Sequence, residues 1–276
     1  AGRTVRMDGD RVVEQARNLA GQPHNEARRG LRAFLIDEVQ TFFRRRGLRG
    51  VAAIGDMADG DSTRGIDDYL ERIWPAVTPQ KFLVDLFSNR RRLEAAGVGL
   101  LTEDEIAMLS LPADSRVEEA TWSLDDIPLL DLADSLLNGT PVTYEHIVVD
   151  EAQDLTPMQF ESIRRRSRTG GMTILGDLAQ GTSPWSPDSW EEAVLHLRHD
   201  RVPTEIAELT IGYRLPAEVH EVAMRLLPEI APRLRAPEPV RYTGHQVEVA
   251  HCHPDELMAG VVDAVDHVID AGLVGV

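Results

Sequence analysis

Apolar residues recur at three- and four-residue spacing near the start of the chain: Val12, Val13, Ala16, Leu19 and Ala20, then Leu31, Phe34, Leu35, Val39, Phe42 and Phe43. That is the period of an α-helix with one face turned inward, and it predicts helices across residues 10–46, parted by Gly21-Gln22-Pro23. Residues 55–65, Gly-Asp-Met-Ala-Asp-Gly-Asp-Ser-Thr-Arg-Gly, hold three glycines, three aspartates and little apolar content, which predicts an exposed loop. Amphipathic helical pieces follow at 66–74, 79–96 and 102–110, interrupted by Pro75, Pro79 and Pro112. The first 143 residues are therefore expected to be mainly helical.

The pattern changes at Tyr144. His146-Ile147-Val148-Val149 is a short β-branched run, the pattern of a strand buried on both faces, and it ends in Asp150-Glu151. Thr156-Pro157 supplies an N-cap and a first-turn proline for a helix through about Arg166. Gly170-Gly171 is expected to turn the chain into a second run, Met172 to Leu175, which ends in Gly176-Asp177. Two strands joined by a helix form a βαβ unit, and the right-handed crossover places both acid-bearing strand ends on one edge of a parallel sheet. Beyond it the pattern predicts a helix over 189–199, a strand from Ile206 to Leu209 and a helix from Pro216 to Leu227. A strand from Gln246 to Ala250 and a helix over 254–270 would begin a second α/β unit.

Composition narrows the class. The 276 residues suffice for one large or two ordinary domains, 42% apolar content is that of a globular chain, and no apolar run approaches the ~20 residues that span a bilayer. No membrane partner is expected. The single cysteine, Cys252, makes neither an internal disulfide nor a multi-thiolate zinc site, so a cytoplasmic location fits best. A net charge of -17 argues against non-specific coating of nucleic acid. The charge is uneven, since residues 1–50 hold eleven arginines against six acids. A solvated helix face accounts for that basic start more simply than a nucleic-acid patch.

Asp150-Glu151-Ala152-Gln153-Asp154 is the most specific feature. Enzymes that hydrolyse nucleotides place one carboxylate at a strand end to hold Mg²⁺ and a second, facing elsewhere, to orient the attacking water. The plainer reading is an acidic pair that caps the following helix and meets its dipole. Adjacent His251, Cys252 and His253 read as solvated loop residues rather than converging metal ligands.

Three stretches in order resemble the superfamily 1 helicases of the UvrD/Rep class. Val148 to Asp154 resembles their Walker B motif, Leu175-Gly176-Asp177-Leu178-Ala179-Gln180 their third motif, and Glu208 to Arg214 their fourth. The resemblance implies an α/β fold, a partial RecA-like parallel sheet preceded by a mainly helical insertion, with ATP and Mg²⁺ as cofactors. It implies that Asp150 holds Mg²⁺, Glu151 is the catalytic base and Gln180 senses the terminal phosphate. Tyr213 and Arg214 would serve the nucleotide, Arg214 at the γ-phosphate. An arginine brought from a second domain suits charge that develops during phosphoryl transfer. The third motif departs from the family's pattern, continuing as Gly181-Thr182-Ser183-Pro184-Trp185 where stacking aromatics are usual, so Trp185 is a candidate for a base contact, although a tryptophan near a loop is more often a packing residue. Gly212 stands where the fourth motif has Asn. A P-loop, G-x-x-x-x-G-K-[ST], is absent; the sole lysine, Lys81, lies in Pro79-Gln80-Lys81-Phe82. The chain is therefore expected to be a fragment, the middle of a motor.

Within that class the chain is most similar to the actinobacterial HelD-type ATPases that bind and recycle RNA polymerase. The carriers are Pro23-His24-Asn25-Glu26-Ala27-Arg28, Trp74-Pro75-Ala76-Val77-Thr78-Pro79 with Asp85-Leu86-Phe87 and Arg91-Arg92-Leu93, and Ile127-Pro128-Leu129-Leu130-Asp131. The similarity implies a basic helical segment at 1–50, a polymerase-contacting helical insertion at 51–143, part of a first RecA-like domain at 144–209 and the start of a second at 210–276. RNA polymerase is the expected partner, with DNA or RNA as a second one. Asp56, Asp59 and Asp61 would extend on their glycines toward a cationic or Mg²⁺-bearing channel, although an ordinary solubilising turn explains them equally. Two alternatives stay open: a processive DNA helicase, disfavoured by 5% aromatic content, and a non-catalytic polymerase-binding module, favoured by the missing P-loop; a metal nuclease built on Asp150, Glu151 and Asp154 ranks well below them, because it has no nearby lysine and leaves Gln180 and the Tyr213-Arg214 pair unexplained.

Overall fold

The computed structural model describes residues 7–45, 60–140, 142–199, 202–247, 249 and 251–270. These are mainly helical, with two parallel sheets of two strands each. The chain divides into two compact units, Ala1–Asp177 with Gly181–Thr204, and Leu178–Gln180 with Glu205–Val276.

The first unit opens on three helices, α1 (Gly9–Leu19), α2 (His24–Arg45) and α3 (Gly60–Ile73). Val12 and Leu19, then Ala27, Leu31, Leu35 and Val39, then Ile66 and Leu70, close into one core, as the apolar period predicts. Several of the described arginines of the basic start pair within this bundle. Arg11 pairs with Glu38 at 2.7 Å, Arg32 with Asp67 at 2.6 Å, and Arg28 with Glu71 at 3.0 Å. Among the described residues these pairs lie between helices of the bundle.

The loop expected at 55–65 is corrected in its second half, because α3 already runs from Gly60. Asp, Ser and Thr suit the first turn of a helix as well as they suit a turn, and the inward period of Ile66 and Leu70 carries that turn along. Asp61 therefore lies in a helix, while Asp56 and Asp59 lie outside the described residues.

Four further helices follow: α4 (Pro79–Phe87), α5 (Arg90–Gly97), α6 (Glu103–Leu109) and α7 (Ile127–Asn138). Their starts are written locally. Thr78 accepts from Lys81 N ahead of Pro79, Asn89 accepts from Arg92 N, and Thr102 with Glu105 forms a capping box. The single helical stretch expected over 79–96 is thus two helices, broken at Ser88-Asn89. α7 packs on both α2 and α4. Segments 23–28 and 74–79, far apart in sequence, meet here. His24 bonds Pro75 O at 2.9 Å, Arg28 donates to Trp74 O at 2.8 Å, and Asn25 donates to Val77 O and to Asn138 of α7, both at 2.8 Å.

β1 (Tyr144–Val149), α8 (Pro157–Arg166) and β2 (Ser167–Ile174) form the expected βαβ unit. The strands run parallel, with Ile147 beside Met172 and Val149 beside Ile174. α8 starts with the predicted Thr156 cap, closed into a box by Gln159. β2 begins earlier than expected, and Gly170-Gly171 lies inside it, where the pairing jumps from Tyr144 and Ser167 to His146 and Gly171. A Cβ on Gly171 would sit 2.5 Å from Glu145 O, so only glycine admits this approach.

Burial of β1 on both faces is also corrected. Val149, Met172 and Ile174 pack against Phe160 and Ile163 of α8 and Trp190, Ala193 and Leu197 of α9 (Trp190–Leu197), whereas Val148 on the opposite face is 66% exposed. Both helices cover the same side, so alternation along the strand leaves the other side open.

In the second unit, β3 (Ile211–Gly212) pairs parallel with β4 (Glu238–Pro239). α10 (Ala217–Met224), α11 (Leu227–Ile230) and α12 (Leu257–Asp270) complete it. The expected strand at 206–209 is not formed. Its backbone finds no ladder, which begins only where Glu238 N donates to Thr210 O. The described residues of 246–250 form no strand either. Glu218 of α10 accepts from the backbone of Thr243 and Gly244 at 3.0 and 2.7 Å, which ties the later turn to the helix.

Candidate functional site

The acids that end β1 stand where the strand gives way to a tight turn. Leu175 N donates to Val149 O at 2.8 Å and Ala152 N to Leu175 O at 2.9 Å, so the ladder continues past Asp150 and Glu151 and pushes both out of it. Asp150 is exposed and takes Glu151 N on one carboxylate oxygen at 2.9 Å. Glu151 has φ 53° and ψ 38°, the one left-handed non-glycine residue among those described. For a residue with a Cβ that conformation costs roughly 1–2 kcal/mol. Such strain persists only where the surroundings fix it.

Backbone bonds from Ala152 N to Leu175 O and from Asp154 N to Glu151 O flank the turn, and Gln153 holds the Glu151 side chain. The Gln153 side chain is 2% exposed, its Nε2 donates to Glu151 Oε2 at 2.8 Å, and its Oε1 accepts from Asp177 N at 3.0 Å. One residue on, Asp154 Oδ1 accepts from Thr182 N at 2.9 Å and from Thr182 Oγ1 at 3.1 Å. The loop after β1 and the loop after β2 are thereby zipped side by side. Gly176 makes this close, because a Cβ there would lie 2.5 Å from Gln153 Oε1 and 2.9 Å from the Trp190 ring.

The sequence points to Asp150 and Glu151, and to Asp154 only as a third nuclease carboxylate; it does not show that Gln153 and Gly176 hold the turn. A glutamine between acids reads as solvated, and its burial depends on a partner 24 residues later in the chain. The one local signal was the glycine directly before Asp177.

The remaining candidates distribute as follows. Gln180 ends the short 3-10 turn Leu178–Gln180 and, with Tyr213 and Arg214, belongs to the second unit. Tyr213 is 74% exposed and Arg214 is exposed, both just after β3. Trp185 lies in the first unit with its ring 66% exposed, so it is a surface residue rather than a packing one. No group of three or more His, Cys, Asp or Glu that could hold a metal ion occurs among the described residues, and Asp154 is engaged by Thr182. Asp150, Glu151 and Asp154 are thus not gathered into a cluster of three. His253 accepts from Asp255 N as a helix cap, and Cys252 is exposed. A hollow of about 540 Å³ opens elsewhere in the first unit, between α4 and α5, lined by Asp85, Ser88, Asn89, Arg90, Arg91 and Arg92 among others; it shares no residue with the acidic turn.

No protein-family profile matches this chain, and no curated protein matches its sequence. No helix among the described residues is long and apolar enough to cross a membrane.

Proposed function

We propose that the chain is part of an ATP-driven motor of the UvrD-like class, its βαβ unit belonging to a RecA-like domain, and that the motor binds RNA polymerase and releases it from nucleic acid. The observation that carries the reading is the acidic turn. Asp150 and Glu151 end a parallel strand, Glu151 has a strained backbone and a carboxylate held by a buried amide, and the loop bearing the third motif is bonded alongside. Structural capping alone does not call for that arrangement, whereas hydrolysis calls for two differently aimed carboxylates.

Asp150 fits a hydrated Mg²⁺, since one oxygen is taken by Glu151 N and the exposed carboxylate keeps the other for the ion's water shell. Mg²⁺ when bound neutralises charge on the nucleotide phosphates. Glu151 accepts a proton from the attacking water. Gln180 senses the terminal phosphate, and Tyr213 with Arg214 serves the nucleotide. The phosphate cradle that such a motor needs has no counterpart in these 276 residues and is supplied by sequence outside them in this reading. Residues 51–143, with Asp56, Asp59 and Asp61, contact the polymerase in this reading, and Trp185 offers a surface for a base.

The test is made in the complete protein. Glu151→Gln keeps shape and removes the charge that positions water, so ATP still binds while turnover falls by a factor on the order of 10²–10⁴. Unchanged turnover removes Glu151 from the chemistry. Capture of core RNA polymerase by the same protein tests the partner. ATP turnover without capture turns the reading to a DNA helicase, and capture without turnover turns it to a polymerase-binding module.

A further inference from the structure

We propose that Gln153 is a positioning residue that sets the Glu151 carboxylate and makes its aim depend on the loop after β2. The inference rests on the reading of Glu151 as the base. A buried primary amide has two donors and an acceptor to satisfy, and here its two ends are used in opposite directions. Nε2 donates to Glu151 Oε2 at 2.8 Å, and Oε1 accepts from Asp177 N at 3.0 Å. The side chain is 2% exposed, so water does not replace either bond without cost. Asp177 is the residue before the turn that carries Gln180. A displacement of that backbone amide therefore pulls on the Gln153 carbonyl, and through the planar amide on Glu151. Asp154 and Thr182 close the same pair of loops from the other side, so the two loops shift together. Gly176 is the space that permits the relay, because a Cβ there would lie 2.5 Å from Gln153 Oε1.

Three variants of the complete protein separate positioning from support. Gln153→Glu is isosteric and keeps the acceptor for Asp177 N, but it sets a carboxylate against Glu151. Gln153→Ala removes both bonds, and Gly176→Ala crowds the relay from outside. Each is expected to lower kcat on the order of 10–100-fold, the scale of a misaimed catalytic group, with KM for ATP within about twofold of the parent. In the double variant with Glu151→Gln, the loss from Gln153→Ala disappears, because a residue that acts only through Glu151 has nothing left to position. Additive losses, kcat and KM moving together, or a Gln153→Glu enzyme as fast as the parent overturn the proposal. In the chain of 276 residues, Glu151→Ala should also shift the Gln153 side-chain amide resonances, and unmoved resonances overturn the bond itself. If those resonances shift while Glu151→Gln leaves turnover untouched, the functional reading has failed and the positioning role falls with it, although the bond stands.

Discussion

Glu151 offers a test that needs no nucleotide. At an ordinary site Gly is less stable than Ala, because it loses more backbone freedom on folding. At φ 53° the order reverses, since only the residue with a Cβ is strained. Both Glu151→Ala and Glu151→Gly lose the bond to Gln153, so their difference isolates the backbone. Glu151→Gly is expected to be more stable than Glu151→Ala by about 1 kcal/mol in urea denaturation. Equal or reversed stability would mean that the left-handed turn relaxes when the carboxylate is removed, and the strain would not be stored there. At this scale the sequence was informative in one direction only. An apolar run that stops at Asp150-Glu151 marks a strand end with two acids, whereas the left-handed turn and the buried Gln153 arise from a loop 24 residues downstream, whose position is a property of the sheet.

Between elements, the tie from α7 to α8 is electrostatic. Asp131 of α7 accepts from Arg165 Nη2 at 2.6 Å, from Arg166 Nη1 at 2.9 Å and from Arg166 Nη2. The Arg166 hydrogen bonds, with Arg165 and Ser162 adding to them, outweigh partial burial and hold the Asp131 carboxyl below the usual carboxylate range. Glu161 is likewise lowered, first by its bond to Arg164. A carboxyl with a lowered folded pKa contributes stability in full above its unfolded value, ~4, and loses it as pH falls through the folded value. Melting temperature should therefore drop below about pH 4, and the drop should be shallower in Asp131→Asn, which has no such proton to take up. At neutral pH, Asp131→Ala leaves the mostly buried Arg165 and Arg166 side chains without their shared carboxylate and is expected to destabilise by roughly 1–3 kcal/mol, between the exposed and the buried case. An Asp131→Asn pH profile that parallels the parent's would assign the acid sensitivity to other carboxylates. Helix periods, the Thr156 cap and the parallel βαβ unit were legible because each is local. The start of α3 at Gly60 was not, because Gly, Asp, Ser and Thr serve a first turn and a loop alike. α7 escaped as well, since Ile127-Pro128-Leu129-Leu130 is an apolar run without a helical period, ordered by α2, α4 and α8 around it.

At the scale of the molecule, the candidate residues belong to two units. Asp150, Glu151 and Gln153 belong to the first, and Gln180, Tyr213 and Arg214 to the second. The first unit holds both hydrophobic cores found among the described residues, while α12 of the second has no buried residue. Phosphoryl transfer draws its catalysis from position and charge rather than from covalent steps, so an incomplete set of phosphate contacts removes most of it. In the proposed motor Asp150 and Glu151 would bring negative charge toward a polyanion, and without a lysine and a ring of backbone amides on the phosphates that charge would repel nucleotide instead of orienting it. Lys81 does not fill the role: its Nζ is 3.0 Å from Asp85 in an ion pair on α4, with no glycine-rich loop around it. The purified chain of 276 residues is therefore expected to turn over ATP no faster than buffer with Mg²⁺ alone, and Glu151→Gln should make no difference in that assay. Hydrolysis above background that disappears in Glu151→Gln would place a phosphate cradle inside this chain, and the arginines that face the hollow between α4 and α5 would be the first to substitute in search of it.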